Sequence, residues 1–398
     1  MIDHIRTAFN DQFSEAKYQS LLDDIEKTYR HRPPFKISET PVFLPKNLNS
    51  RLLEACEEIN DVLVQPNFKE LTSKAIEPKY SVPGEDEHTI FLQMDFGICR
   101  DEKGDLIPQL IEIQGFPSLY FYQDVLAQTY RKYYSMPDKF THLFDGLTSE
   151  DYMKLLRKII VGHSKVENIV LLEVEPEKQT TRIDFLATEH HLGIKTLNIS
   201  DLKKEGKDVY YLDANGRKTG VEKILNRVIF DELVKRDDLK RQFHFTEEIN
   251  AKWIGHPHWF FRISKYTLPL LKSKYVPETH FLSNLAAIPD DLNHYVLKPL
   301  YSFAGTGVII NLNRHDINMI EDKENYIIQK KVQYEPVVET LDEPAKCEIR
   351  MLMLWEEGAE RPQIVNNLVR LSKGEMIGVR YNKNKTWVGG SIGLFERE

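Results

Sequence analysis

At 398 residues the chain exceeds what one ordinary core organises, so two or three lobes are expected. Hydrophobic residues at 41% and charged residues at 29% give the balance of a soluble globular protein, and a net charge of −8 with no long basic run argues against a nucleic-acid partner. Cys56, Cys99 and Cys347 fit neither a disulfide framework nor a zinc spacing, the charged start MIDHIRTAFNDQF lacks a signal peptide's apolar stretch, and no run nears the ~20 apolar residues of a membrane span, so a cytoplasmic chain is expected.

Residues 1–80 read as mainly helical, with spaced apolar positions over 18–29 and 52–63 and breaks at Arg32-Pro33-Pro34 and Phe43-Leu44-Pro45. A strand pair follows: 89–98, a polar turn over 101–105, and a return over 106–114. Thr148-Ser149-Glu150-Asp151 has the form of a capping box, opening a helix with Tyr152, Leu155, Leu156, Ile159 and Ile160 on one face. Next come a buried strand over 169–174, a helix over 181–191 ended by Gly193, and a strand over 194–199. Asn215-Gly216 marks a hairpin turn, and 223–230 is strand-like. This alternation predicts a small layered α/β unit over 163–240. Beyond 245 the pattern gives a helix over 266–274, strands over 295–298 and 308–311, and further strands over 326–332, 348–355 and 364–371.

Chemistry concentrates in four places. The stretch YVLKPLYSFAGTGV (295–308) runs an apolar strand into Lys298 and then a small-residue loop holding Ser302, Gly305, Thr306 and Gly307. A lysine there can neutralise a phosphate, and glycines let backbone N–H groups close over phosphate oxygens. A Walker loop would need a Gly-Lys-Ser/Thr ending and a following helix. The alternative is a plain hairpin. In YIIQKKV (326–332), Gln329, Lys330 and Val332 can present backbone to an adenine edge and a polar group to a ribose, or form only an amphipathic strand. Glu348 and Arg350 share a strand face and can hold metal and phosphate, or form a surface ion pair. Glu112 and Gln114 also share a face, with oxygens that suit magnesium. His256-Pro257-His258, flanked by Trp253 and Trp259, reads as a packed corner, and His190-His191 as a helix C-terminus complementing the dipole.

An acidic strand early and a lysine strand late resembles the circularly permuted ATP-grasp enzymes, specifically the eukaryotic glutathione synthetase group, over roughly residues 89–398. The resemblance implies an α/β (α+β) ATP-grasp fold. Residues 1–162 would hold a helical region and permuted metal-binding strands, 163–240 a substrate unit, and 241–398 the nucleotide lysines and glycine loop. It implies ATP and Mg2+ as cofactors, with Lys265 and Lys298 on the nucleotide, a hinge over 329–332, and Glu112, Gln114 and Glu348 on the metal. Asp95, Gly115-Phe116-Pro117-Ser118, Glu173-Val174-Glu175, Arg370 and Gly389-Gly390 match further family positions. The implied activity is a carboxylate–amine ligation through an acyl phosphate, with small-molecule acid and amine substrates, no nucleic acid or membrane partner, and a homodimer as candidate assembly. Arg350 or Arg370 would stabilise the transferring phosphoryl group. Arg227 would grip a substrate carboxylate, unless it pairs with Asp231 or Glu232. The 301–307 loop, with Phe303, would exclude water. Three departures stand out: no carboxylate occurs at 300–303, Gln114 replaces an asparagine, and Gln93 replaces a carboxylate-binding arginine, so glutathione is not the expected product. A non-catalytic ATP-binding protein, favoured by the lost loop carboxylate, and an ATP-dependent phosphotransferase are the alternatives.

Overall fold

The computed structural model describes residues 1–302, 305–378 and 381–397. Its largest sheet joins distant parts of the chain. The order is Gly389–Ser391, Gln363–Ser372, Ala345–Leu354, Phe91–Arg100 and Leu106–Gln114, antiparallel throughout, with Pro336–Val338 paired onto Ala345–Leu354. The hairpin between residues 100 and 106 closes because the Asp101 carboxylate accepts the N–H groups of Lys103 (3.0 Å) and Asp105 (2.9 Å), with Gly104 at φ 83.

Alternation sorts the two faces of this sheet. Leu92, Met94, Phe96, Ile349, Met351 and Met353 pack with Leu48, Leu52 and Ile59 of the Lys46–Leu63 helix. Phe91, Leu352 and Leu354 share a second core with Tyr120 of the Tyr120–Tyr133 helix and with Tyr152 and Leu156 of Ser149–Ile160. Gln93, Asp95, Glu348 and Arg350 take the parity of this second face. In the returning strand Phe96 pairs with Leu110 and Asp95 with Glu112, so Ile111 is an extra residue in a β-bulge. The bulge puts Leu110 in the first core yet turns Glu112, two residues on, toward Asp95.

A four-stranded parallel sheet forms a second layer, in the order Lys252–Ile254, Lys223–Asn226, Ile169–Glu173 and Lys195–Asn198. It takes in a strand past residue 240. The Arg182–Leu192 helix ends at Gly193, φ 77. A three-stranded antiparallel sheet of Thr279–Phe281, Tyr326–Lys330 and Tyr295–Pro299 carries the lysine strand. A small sheet gathers Val42–Phe43, Gly393–Glu396 and Phe140–Thr141.

Several expected elements differ. Residues 266–274 form no α-helix: the chain makes a 3-10 turn, Lys265–Leu270, with Pro269 inside, and proline removes a helical donor. The strand expected over 308–311 is a single bridge between Leu297 and Ile309. The 223–230 run stops as a strand at Asn226, and Phe230–Leu233 is a helical turn. Two helices have no segment of their own in the sequence reading: Asp3–Gln12, which falls within the mainly helical region expected over 1–80, and Tyr120–Tyr133. The second has no side-chain cap of its own. The carboxylate of Asp184 accepts the N–H groups of Leu119, Phe121 and Tyr122 at 2.9–3.0 Å, a cap lent from over sixty positions away. Among the described residues no helix is long and apolar enough to cross a membrane.

Candidate functional site

The bulge that turns Glu112 also leaves the Ile111 carbonyl free of its strand partner. Lys298 Nζ donates to that carbonyl at 2.9 Å and to Gln329 Oε1 at 2.6 Å. The acidic strand end and the lysine strand, 187 positions apart, therefore meet. Lys298 is 7% exposed, and burial pushes its ammonium down to about 8 despite the pull of Glu112. Lys265 Nζ donates to the Ser302 carbonyl at 2.7 Å and stands 3.8 Å from Glu112 Oε2. Glu112 Oε1 accepts from Gln114 Nε2 at 2.6 Å. Burial raises the Glu112 carboxyl, but Lys265, Arg350, Arg370 and Lys298 together outweigh it and hold the group below the usual carboxylate range.

Behind Glu112 lies a clamp built on Asp95, 1% exposed. Arg350 meets Asp95 as a fork, Nε to Oδ1 at 2.6 Å and Nη2 to Oδ2 at 2.7 Å, because the two residues are direct cross-strand partners. The third Arg350 nitrogen donates to Gln93 Oε1 at 2.9 Å. Arg370 Nη2 reaches both Asp95 Oδ2 and Glu348 Oε1, and Tyr334 donates to Glu348 Oε2 at 2.9 Å. Burial raises the Glu348 carboxyl while Arg370 opposes the shift. Glu348, expected on the metal, is instead engaged by a guanidinium and a phenol. Arg350 is likewise not a surface ion pair with Glu348: its partner is Asp95, one strand away.

Arg227 sits to one side, 5% exposed, its guanidinium 5.0 Å from the Phe116 ring and 5.2 Å from the Phe185 ring. Nη2 donates to Thr181 Oγ1 at 3.2 Å, and Nε and Nη1 are buried without a hydrogen-bond partner. Neither Asp231 nor Glu232 pairs with it; Asp231 takes Lys235. The nearby Glu173 carboxyl is pushed up to about 7 by burial, against the pull of Arg227.

Glu112, Gln114, Phe116, Phe260, Lys265 and Tyr301 bound a narrow, partly open cleft of ≈ 20 Å³. Tyr301 lines it, donating to the Ala75 carbonyl at 2.8 Å with its ring edge-on to Phe261.

No family model and no curated protein matches this chain. A glutathione synthetase-like effector from Globodera pallida, solved in its apo form, superposes at a TM-score of 0.57 with 12% identity, over 98% of this chain and 99% of that one. The chain has a glutathione synthetase-like fold. A provisionally named gamma-glutamylcysteine synthetase from Methylobacillus flagellatus KT covers 87% of each chain at 13% identity and a TM-score of 0.38, too low to mark a shared fold.

Within this glutathione synthetase-like fold, Lys265, Lys298, Ser302, Gln329, Glu112, Gln114, Glu348, Arg350 and Arg370 converge on one cradle. The remaining expected residues lie apart from these contacts. Gly305, Thr306 and Gly307 form a turn closed by the Val308 N–H on the Gly305 carbonyl, with Thr306 exposed. Gly307 is required there: its φ is 73, and a Cβ would lie 2.9 Å from Pro299 Cγ. Phe303 lies outside the described residues. Lys330 is exposed, its N–H bonded to the Glu278 carbonyl, and Val332 lies over Gly97. His256 and His258 are a packed corner: His258 Nδ1 meets Glu85 at 2.7 Å, and its Nε2 accepts the Val82 N–H at 2.8 Å. Sequence reasoning gave no role to Tyr334, matched Asp95 to a family position without naming its partners, and took Tyr301 only as part of the 301–307 loop. Asp95 carries a usable signal, since it stands two residues from Gln93 on a hairpin arm, but its partners follow only from the strand order.

Proposed function

We propose that the chain is an ATP-dependent carboxylate–amine ligase on a permuted ATP-grasp scaffold. The supporting observation is the meeting of Lys298 with the bulged Glu112 strand end. Oxygen donors suited to a magnesium ion, Glu112 and Gln114, and lysines suited to phosphate, Lys298 and Lys265, would face each other there.

The residues fit one magnesium ion. Glu112 is 23% exposed, its nearest contact is an amide, and the cations around it stand 3.8 Å off. Gln114 adds an amide oxygen, and magnesium characteristically takes one or two carboxylates with phosphate oxygens. Glu348 does not fit, being buried against Arg370. Among the described residues no group of three His, Cys, Asp or Glu side chains is placed as a closed metal cage. When bound, ATP supplies the phosphoryl group and magnesium screens its charge. Lys298 and Lys265 would hold phosphate oxygens in place of the carbonyls they now contact. Arg370, 35% exposed and oriented by Asp95 and Glu348, would stabilise charge on the transferring group. Arg227 offers two unpartnered N–H groups to a substrate carboxylate. The cleft, ≈ 20 Å³ in this arrangement, would have to widen for a nucleotide to enter.

The test is incubation with ATP, magnesium and a panel of acids and amines, followed by mass spectrometry. Amide with ADP supports ligation. A phosphorylated acceptor without amide makes the chain a phosphotransferase. Nucleotide binding without turnover, the outcome that the missing loop carboxylate favours, makes it a binding protein.

A further inference from the structure

Three carboxylates line the cradle, and their availability differs sharply. Both oxygens of Asp95 are occupied, Oδ1 by Arg350 Nε and Oδ2 by Arg350 Nη2 and Arg370 Nη2. Glu348 is held between Arg370 and Tyr334. Only Glu112 is open to a hard cation. A metal ion at either of the other two would have to displace a buried guanidinium from its counter-ion, leaving an unpaired buried charge. Arg370, by contrast, retains capacity for an anion, whereas Arg350 is taken up by Asp95 and Gln93. Arg370 Nε and Gln329 Nε2 are buried without a hydrogen-bond partner, and Arg370 is partly exposed. A planar fork with spare donors matches phosphate oxygens, and an anion there would satisfy donors that the protein leaves unpaired. With Lys265 and Lys298, four cationic side chains stand against three carboxylates.

We propose that the Arg350–Asp95–Arg370 clamp takes the place of a second divalent cation, so that the cradle holds a polyphosphate with at most one metal ion. Asp95 is then a positioning residue, aiming two guanidinium groups it does not itself lend to the ligand. The inference rests on the nucleotide reading above for its physiological ligand and its metal count, but not for the tripolyphosphate test.

Inorganic tripolyphosphate, titrated calorimetrically into the full chain in EDTA, should bind. Arg370→Met and Arg370→Lys should each weaken it at least tenfold, the lysine because it keeps the charge and loses the fork. Manganese counted by electron paramagnetic resonance with a non-hydrolysable ATP analogue should give one ion per bound nucleotide. No metal-free tripolyphosphate binding by the wild-type chain overturns the proposal, as does a spin-coupled pair of manganese ions, as does full affinity in Arg370→Lys. If tripolyphosphate binds as described and the ATP analogue binds no more tightly, the clamp stands and the ATP assignment falls.

Discussion

Replacing Asp95 with asparagine should destabilise the fold out of proportion to the single atom changed. The side chain is 1% exposed and accepts from two guanidinium groups, Arg350 as a fork at 2.6 and 2.7 Å and Arg370 on Oδ2. Removing one partner of a buried charge pair costs about 3–5 kcal/mol, because the other charge stays behind unpaired. Arg370 is 35% exposed and keeps Glu348, so the loss falls at the lower end, about 3 kcal/mol. At roughly 2–4 °C per kcal/mol for large domains, the melting temperature should drop by about 6–12 °C. Urea unfolding followed by tryptophan fluorescence measures this, alongside Arg370→Met and the double variant. The two single losses should exceed additivity by about 1–3 kcal/mol in the cycle. An Asp95→Asn chain within about 0.5 kcal/mol of wild type, a difference typical of unconstrained surface changes, would refute the clamp as the organising element of the site.

Lys298→Ala should weaken nucleotide or tripolyphosphate binding by about 3 kcal/mol, roughly 150-fold, with an unchanged far-ultraviolet circular dichroism spectrum. In the wild type, that binding should weaken as pH rises through about 8, where burial has placed the Lys298 ammonium. Glu173 titrates near 7 when folded and near 4.5 when free, so between those values the folded chain keeps a proton that the unfolded chain releases. Its contribution to stability is therefore present below pH ~4.5 and lost by about 7, up to about 3 kcal/mol in all, and Glu173→Gln should flatten that slope in urea midpoints taken across pH. Gly389→Ala should unfold the chain at markedly lower urea, since φ is 117 and a Cβ would lie 2.2 Å from the Lys36 carbonyl oxygen, a backbone atom that cannot yield cheaply.

The periodic segments were legible because the local pattern decides them. The 91–114 hairpin carries its own turn chemistry in Asp101 and Gly104, and the Ser149–Ile160 helix its own cap, with Thr148 and Asp151 bonding reciprocally. Elements that borrow from elsewhere were not. The Tyr120–Tyr133 helix takes its cap from Asp184, and the 266–274 segment shows helical spacing that Pro269 cancels. The same division holds at the cradle. Lys298, Glu112 and Gln114 announce themselves by type and spacing. The clamp does not, because Arg350 and Asp95 are neighbours only by strand register. Glu112 faces the site only because of a one-residue bulge that alternation alone would miss.

The order of strands in the largest sheet also sets a timetable. Asp95 and Arg350 are 255 positions apart, so during synthesis at roughly 5–20 residues per second the Phe91–Arg100 hairpin waits about 13–50 seconds for its neighbour. Throughout that interval an apolar edge stands open on the nascent chain, a template for pairing with another copy. Production of this protein should therefore respond to translation speed and to chaperones that shield strand edges more than its finished stability would suggest.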